Sequence, residues 1–189
     1  MQCLILDDTA FVLSCCPKLA ESLSDSYHVI SCGEYIAGKY PANVALNALK
    51  LGKRLICRVP SLDDKVKKYC ADHGYELNHV NQGYAKCSCA VVSDNAIITA
   101  DKGIYHSLKE SSVDILLIEE GRVALKGADH GFIGGASGYD KENHTLYFCG
   151  DIRSHPDHNR IREFCAGYGM QCVSLCDEQL TDIGRILIC

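Results

Sequence analysis

The order of predicted elements repeats along this chain, and the repeat limits the folds that the chain can adopt. Three stretches each predict a strand, a turn, a second strand, a helix and a third strand. They are "NVALNALKLGKRLICRVPSLDDKVKKYCADHGYELNHVN", "KCSCAVVSDNAIITADKGIYHSLKESSVDILLIEEG" and "GFIGGASGYDKENHTLYFCGDIRSHPDHNRIREFCAGYGMQCVSLC". Turn-forming residues lie between the paired strands, as tight hairpins require. The pattern therefore predicts an α/β fold made of ββαβ units.

Each predicted helix follows a predicted hairpin and precedes a third strand. In the first helix Val66, Tyr69 and Cys70 recur at i, i+3 and i+4, a spacing that forms an apolar stripe for packing on a sheet. The first predicted hairpin pairs residues 44–46 with residues 54–58. The second and third predicted hairpins turn at residues 93–95 and 139–144. The predicted helices cover 62–73, 103–111 and 157–168, and the strands after them cover 76–80, 113–118 and 171–175.

The two ends of the chain together supply a fourth unit. Residues 2–6 ("QCLIL") and 182–189 ("DIGRILIC") each predict a strand without a hairpin partner of its own. Pro17 opens a predicted helix, and a strand over 27–31 follows it. Pairing the first strand with the last would close four units into a pseudo-symmetric ring and remove open sheet edges. The connecting segment 33–40 has no predicted place in this ring.

Composition and charge limit the partners of the chain. It has 19 Lys and Arg against 24 Asp and Glu, a net charge of −5, so no broad basic surface for nucleic acid or anionic lipid is expected. No apolar run is long enough to span a bilayer. The first residues lack the basic and apolar regions of a signal peptide. We therefore expect a cytoplasmic protein whose residues 1–189 form one domain, with neither nucleic acid nor membrane as a partner.

Cys87 is the best nucleophile candidate among 13 cysteines. An odd cysteine count and the lack of a C-x-x-C pair argue against a disulfide framework and a zinc site, so no metal or cofactor is predicted. Most of the thiols lie in apolar runs, where a free cysteine packs as a small hydrophobe. Cys87 follows Lys86, and a nearby ammonium favours a reactive thiolate. The alternative is that Cys87, like Cys89 two residues on, is a buried cysteine of an inner strand.

Three of the four predicted inner strands end in aspartate. One strand ends in the pair Asp7 and Asp8, one in Asp101 and one in Asp151. The fourth strand ends in Arg58. If equivalent loops converge on one mouth of the ring, Asp101 and Asp151 would bind a guanidinium, an amine or a metal ion. The alternative is that each aspartate caps the turn or helix that follows it.

His155 is the candidate base, in the sequence "SHPDHN". Pro156 favours an extended backbone for His155, so that the ring can project from a loop. A thiolate, a histidine and carboxylates together suit the hydrolysis of an amidine. The alternative is that His155 and Asp157 only mark a helix start, with Asp157 as a cap rather than a substrate-binding group.

The glycine-rich sequence "GFIGGASG" supplies further substrate-binding candidates. It lacks the Lys-Ser/Thr pair of a phosphate-binding P-loop. Gly134 and Gly135 instead indicate close backbone approach or positive φ near the centre of the ring. Asp182 and Gly184, in "TDIGRIL", occupy the equivalent hairpin position one unit later, which places Asp182 among the candidates.

Two stretches resemble a known superfamily. "KCSCAVVSDNAIIT" and "GFIGGASG…TLYFCGDIRSHPDHNRIREF" are similar to the early blade and the Gly-Gly-Asp hairpin of the pentein fold, the α/β propeller of amidinotransferases, arginine and agmatine deiminases and dimethylarginine hydrolases. More closely, "NQGYAKCS", "AIITADKGI", "DILLIEEG", "GFIGGASG" and "HPD" resemble a bacterial family of pentein-like proteins, over about residues 40–189. The resemblance implies a pentein-like propeller that hydrolyses or transfers groups on guanidino or related C–N compounds through a cysteine.

The chain also departs from those enzymes. Ala136 stands where they place a substrate-binding carboxylate, and Cys189 is the positional match for their late nucleophile. The enzymes have five units, whereas four are counted here. Two functions therefore remain open. One is the cysteine-dependent reaction on a small guanidino or amine ligand, and the alternative is a non-catalytic pentein-like scaffold that binds a protein or a small molecule.

Overall fold

The computed structural model describes residues 2–33 and 40–188. Residues 34–39 and Cys189 therefore lie outside the described residues. The first of these regions is most of the connecting segment 33–40, which had no predicted place. The chain divides into two compact units, Met1–Ala85 and Lys86–Cys189. Each unit is described by itself, and the single domain over 1–189 stays a prediction.

The first unit contains two three-stranded sheets, each with one helix. The first sheet is formed by β1 (Cys3–Leu6), β2 (Thr9–Leu13) and β3 (His28–Cys32), with helix α1 (Pro17–Ser24) between β2 and β3. The second is formed by β4 (Leu49–Leu51), β5 (Arg54–Cys57) and β6 (Glu76–His79), with helix α2 (Asp64–Asp72) between β5 and β6. Short 3₁₀ turns cover Ala42–Val44 and Val59–Ser61.

The second unit has the same element order. A one-turn helix, α3 (Ala85–Ser88), leads into β7 (Cys89–Ser93), β8 (Ala96–Thr99), α4 (Lys102–Leu108) and β9 (Asp114–Leu117). The last sheet is formed by β10 (Ser137–Asp140), β11 (Thr145–Phe148) and β12 (Gln171–Ser174), with a 3₁₀ turn at Ile152–Ser154 and helix α5 (His158–Gly167) between β11 and β12.

All four sheets have one topology. The first two strands form an antiparallel hairpin and the third strand pairs with the second in parallel. A parallel pair needs a crossover connection, and the intervening helix supplies it. The predicted α/β class is confirmed. The closed ring, the propeller arrangement and the internal repeat stay predictions.

Each unit buries its own apolar core. In the first, Tyr69 of α2 meets Phe11 of β2 edge to face, with ring centroids 5.3 Å apart. The predicted stripe of α2 is buried, and the Asp63 side chain caps this helix by accepting from the Lys65 N–H at 2.8 Å. In the second, Phe148 of β11 packs with Ile161 of α5 in one cluster. These cores fix the strand ends from which the candidate site residues emerge.

Two strand predictions were wrong. Residues 44–46 do not form a strand, because a 3₁₀ turn ends at Val44 and the hairpin forms later, with β4 turning on Gly52 at a φ of 56°. Residues 182–188 form no strand either. The Asp182 carboxylate accepts from the Gly184 N–H at 2.7 Å, and Gly184 has a φ of 92°, so the chain turns where it was expected to extend.

The partner of β1 was also missed. β1 pairs with β2, through a turn at Asp7 with a φ of 51°, so the N-terminal strand has a hairpin of its own. The predicted closure through 182–189 is therefore not confirmed. Among the described residues, no helix is long and apolar enough to cross a bilayer.

Candidate functional site

Four predicted site residues meet in the second unit. The Gly135 N–H donates to the Cys87 carbonyl at 2.9 Å, and the Cys87 thiol donates to the Gly184 carbonyl oxygen at 3.8 Å. We call Lys86, Cys87, Gly134, Gly135 and Asp182 the Cys87 cluster. It joins α3, the glycine-rich loop before β10 and the segment after β12.

The two glycines are needed because the backbone is crowded around them. A Cβ at Gly134 would lie 2.1 Å from the Cys89 carbonyl oxygen, and a Cβ at Gly135 would lie 2.0 Å from a carboxylate oxygen of Asp182. No real Cβ approaches other atoms so closely, so neither position accepts a side chain without movement of its surroundings. Close approach, one of the two reasons predicted from the sequence, is the one that applies here.

Asp182 presents a fixed carboxylate. It is 8% exposed, and its two oxygens accept from the Phe132 N–H at 2.9 Å and the Gly184 N–H at 2.7 Å. A carboxylate has about four acceptor positions, so these bonds orient the group and leave capacity for a cation. The contact with Phe132 spans 50 residues of sequence, and no motif in the sequence indicates it.

Cys87 lies in the α3 turn, two residues before β7 begins, and not in the strand where it was predicted. Its 8% exposure separates it from Cys89, which is fully buried. Burial raises the pKa of Cys89 to about 12, so that thiol stays protonated at neutral pH. Of the two neighbouring cysteines, Cys87 is therefore the one suited to react.

Lys86 brings a half-buried amine side chain to the same cluster. Its Nζ donates to the Gly134 carbonyl at 3.3 Å. Burial, helped by the nearby positive charge of Arg185, lowers the pKa of Lys86 to about 8. An amine with such a pKa both gives and takes a proton near neutral pH. The contribution of Arg185 is not visible in the sequence, because it depends on how the chain turns after Asp182.

Asp101 and Asp151 lie at the starts of helical turns. Asp101 accepts from the Ile104 N–H at 2.8 Å and caps α4. Asp151 accepts from the Arg153 N–H at 2.8 Å and pairs with the Arg153 guanidinium at 2.8 Å. These contacts agree with the cap alternative that the sequence left open. The binding of a substrate cation by either residue stays a prediction.

His155 and Asp157 tie the start of α5 to the segment after β9. The His155 ring is 1% exposed; its Nδ1 accepts from the Asp157 N–H at 3.0 Å, and its Nε2 faces the Glu119 carbonyl at 3.3 Å. This network assigns the neutral tautomer with hydrogen on Nε2. Burial lowers the pKa of His155. Asp157 accepts from the Glu119 N–H at 2.7 Å and pairs with Arg160. Their predicted roles as base and substrate-binding group stay predictions.

A family model matches residues 1–187, and it describes a family of unknown function (DUF6873). The chain belongs to this family. No curated protein sequence matches the chain. The DUF6873 match covers nearly the whole chain, including every residue of the Cys87 cluster.

The fold of the DUF6873 chain is similar to the folds of three solved structures. A dimethylarginine dimethylaminohydrolase in adduct with 4-chloro-2-hydroxymethylpyridine shares 11% identity at a TM-score of 0.53, with 91% of this chain and 67% of that chain covered. The N-terminal domain of ArgZ, bound covalently to a reaction intermediate, shares 11% at 0.51, with 85% and 62% covered. The agmatine deiminase of C. jejuni shares 8% at 0.53, with 88% and 62% covered.

At these identities the likeness concerns the fold. The predicted resemblance to the pentein guanidine-modifying superfamily is confirmed at that level. The DUF6873 chain spans about two thirds of the length of the solved chains that it matches, from 62% to 67% in the three named. Within residues 2–33 and 40–188, no group of three His, Cys, Asp or Glu side chains is arranged to hold a metal ion.

Proposed function

We propose that this protein is a cysteine-dependent hydrolase or transferase that acts on a guanidino or related C–N compound, with Cys87 as the nucleophile. The observation that carries the proposal is the Cys87 cluster, in which a thiol, a half-buried amine and an oriented carboxylate are held by one glycine-rich loop. The fold shared with guanidine-modifying enzymes supports the choice of substrate class. That likeness is an argument from fold, whereas the cluster is an argument from chemistry.

Asp182 would receive the substrate cation. A guanidinium is planar and donates several parallel N–H bonds, a geometry that a carboxylate accepts with two oxygens. Backbone N–H groups already hold the Asp182 oxygens in place, so the orientation is set before the substrate arrives. This assignment replaces the carboxylate that the sequence lacks at Ala136.

Lys86 would carry the protons. Its amine accepts the proton of the Cys87 thiol, and the thiolate adds to the central carbon of the guanidinium to form a C–S bond. The Lys86 ammonium then returns the proton to the leaving nitrogen, which departs as ammonia or an amine. Water breaks the C–S bond in a hydrolase, and a second amine breaks it in a transferase; either restores the free thiol.

The other predicted residues have weaker claims on this chemistry. Asp101 and Asp151 serve helical turns, and both ring nitrogens of His155 face backbone groups. We keep their substrate and base roles as proposals to be tested by substitution. None of the twelve described cysteines is in a disulfide, which suits the reducing cytoplasm expected for the protein. No specific observation favours the scaffold alternative.

A product assay tests the proposal. The purified protein is incubated with a panel of free guanidino compounds that includes arginine, agmatine and methylated arginines, and the ureido product and the released amine are measured. We expect turnover of at least one compound, lost in Cys87→Ser and in Asp182→Asn. Cys149→Ser, which changes a half-buried cysteine outside the cluster, should leave turnover unchanged. Turnover that survives Cys87→Ser would overturn the assignment, and no turnover of any compound would favour the scaffold.

A further inference from the structure

Two adjacent cysteines form a surface dithiol in the first unit. The Sγ atoms of Cys15 and Cys16 are 3.8 Å apart. Cys15 is exposed and Cys16 is half-buried. Among the residues that the structure describes, the side-chain hydrogen bond of each thiol is to the other. The proposed chemistry of the Cys87 cluster uses neither residue.

The backbone around the dithiol is fixed on both sides. The Cys16 N–H donates to the Leu13 carbonyl at 2.9 Å, which makes a tight turn at the end of β2. Cys16 is the N-cap of α1, with Pro17 at the first helical position, and its carbonyl accepts from the Leu19 and Ala20 N–H groups at 3.1 Å each. The turn and the helix start therefore fix the backbone that carries the two thiols before any ligand arrives.

The sulfur separation suits a bridging ion better than a disulfide. A disulfide usually joins Cα atoms about 4.4–6.8 Å apart. Consecutive Cα atoms are only about 3.8 Å apart, so a disulfide between adjacent cysteines would strain this backbone. Two thiolates bound to one tetrahedral ion through bonds of about 2.3 Å lie about 3.8 Å apart, the separation observed here. Thiolates also select soft ions over hard ones such as Mg²⁺ or Ca²⁺.

We propose that Cys15 and Cys16 form a two-thiolate binding site for a soft, thiophilic ion. Each thiol gives up its proton and forms one bond to the ion, and other ligands complete the coordination. For a monosubstituted arsenic(III) oxide, two S–H groups and the As=O group become two As–S bonds and one water, with no change in oxidation state.

The electrostatics of the pair support the arrangement. Burial, the hydrogen bond that Cys16 shares with Cys15 and the neighbouring Cys15 and Cys3 raise the pKa of Cys16. A second thiolate beside the first is unfavourable because the two negative charges repel each other. A bound cation removes that repulsion. The two thiols therefore resist ionising together without a bound ion, and they suit ligation because a bound ion stabilises both thiolates.

Two probes test the site: phenylarsine oxide, whose arsenic takes two neighbouring thiolates, and Cd²⁺. One equivalent of each is added to the reduced, folded protein. Native mass spectrometry counts bound probes, digestion maps the arsenical, and the ultraviolet thiolate–cadmium band reports bound Cd²⁺. We expect one high-affinity site on Cys15 and Cys16, lost in both Cys15→Ser and Cys16→Ser because one thiol cannot chelate.

The matched control is Cys176→Ser, which removes another exposed thiol and should leave binding unchanged. Binding of both probes would indicate a general site for soft ions. Binding of the arsenical alone or of Cd²⁺ alone would support the site and identify its preferred ion class. The proposal is wrong if neither probe binds, or if the tight site survives in Cys15→Ser and Cys16→Ser. None of these outcomes depends on activity at Cys87.

Discussion

The carboxylate of Asp182 fills the space that a side chain would need at Gly135. A Cβ at that glycine would lie between 2.0 and 2.6 Å from three atoms of the Asp182 carboxylate group. The same carboxylate binds the backbone N–H groups of Phe132 and Gly184. Gly135 and Asp182 therefore depend on each other, and the fixed orientation of Asp182 on which the proposed function relies requires glycine at position 135.

Gly135→Ala should destabilise the second unit, because the added methyl group must displace the Asp182 carboxylate from its two N–H donors. Overpacking of this kind costs about 1–3 kcal/mol in free energy of unfolding. Urea unfolding measures it. Gly167→Ala is the matched control, since nothing lies within 4 Å of a Cβ there, and we expect it to be neutral or to stabilise by roughly 0.4–1 kcal/mol. Equal stability of Gly135→Ala and wild type would show that Asp182 is free to move.

His155→Ala separates a structural role from a catalytic one. It leaves the Asp157 N–H and the Glu119 carbonyl without their partner, a loss of about 1–3 kcal/mol in free energy of unfolding. The rate of alkylation of Cys87 should stay at the wild-type value. His106→Ala, on the exposed face of α4, is the control for stability. Slower alkylation of Cys87 in a folded His155→Ala protein would support His155 as the base.

Stability of the wild-type protein should fall as the medium is acidified below about pH 6.5, the ordinary pKa of histidine. Burial lowers the pKa of His155, so the unfolded chain binds a proton in this range before the folded chain does. The His155→Ala variant should lack this part of the slope. Urea unfolding between pH 7.5 and about pH 5 measures the difference, and parallel slopes in the two proteins would contradict the buried neutral ring.

Asp7 should stabilise the first unit at neutral pH. Partial burial acts to raise the pKa of this carboxyl, but hydrogen bonds from Lys53, Lys50 and Tyr75 hold it well below its usual range. Asp7→Asn removes the charge while Asn still tolerates the φ of 51°. Because Asp7 and its two lysine partners are partly exposed and screened by solvent, we expect the substitution to lower the free energy of unfolding by about 1 kcal/mol.

The pH dependence of Asp7→Asn follows from the direction of that shift. The pKa of Asp7 is lower in the folded chain than in the unfolded chain. Its charge therefore contributes fully to folding stability above the unfolded pKa of about 3.9, and this contribution is lost as the pH falls through the folded pKa. The gap between wild type and Asp7→Asn should therefore narrow below about pH 4. Asp72→Asn, which breaks an exposed helical pair with Lys68, serves as the control. A gap that does not change with pH would refute the charge-based account.

The sequence predicted the elements whose signals are local. The stripe of Val66, Tyr69 and Cys70 is buried as expected, because helical periodicity depends on neighbours a few residues apart. The strand after β1 was missed because Thr9–Leu13 is buried at every position and shows no alternation. The segment after Asp182 looked like a strand because its apolar run resembles one. The turn at Gly184 instead forms on the Asp182 carboxylate, which also accepts from the Phe132 N–H, 50 residues earlier in the chain.

The candidate site was only partly visible for the same reason. Cys87, Gly134, Gly135 and Asp182 were each selected by local pattern, and the fold brings them together. The lowered pKa of Lys86 depends on burial and on Arg185, which lies 99 residues further along the chain (185 − 86). No spacing rule reports such a contact. Asp101 and Asp151 were ambiguous in sequence because caps and cation ligands use the same carboxylate.

Selective labelling of Cys87 tests the central claim most directly. The folded protein is treated at pH 7 with limiting 2-chloroacetamidine and, separately, with iodoacetamide, and the modified cysteines are mapped by mass spectrometry. We predict that Cys87 shows the highest preference for the amidine reagent of all cysteines. Lys86→Met should slow its labelling, because it removes the amine that takes the thiol proton, whereas the exposed Lys102→Met should not. A Cys87 that stays unlabelled, or reacts without amidine preference, would contradict the proposed function.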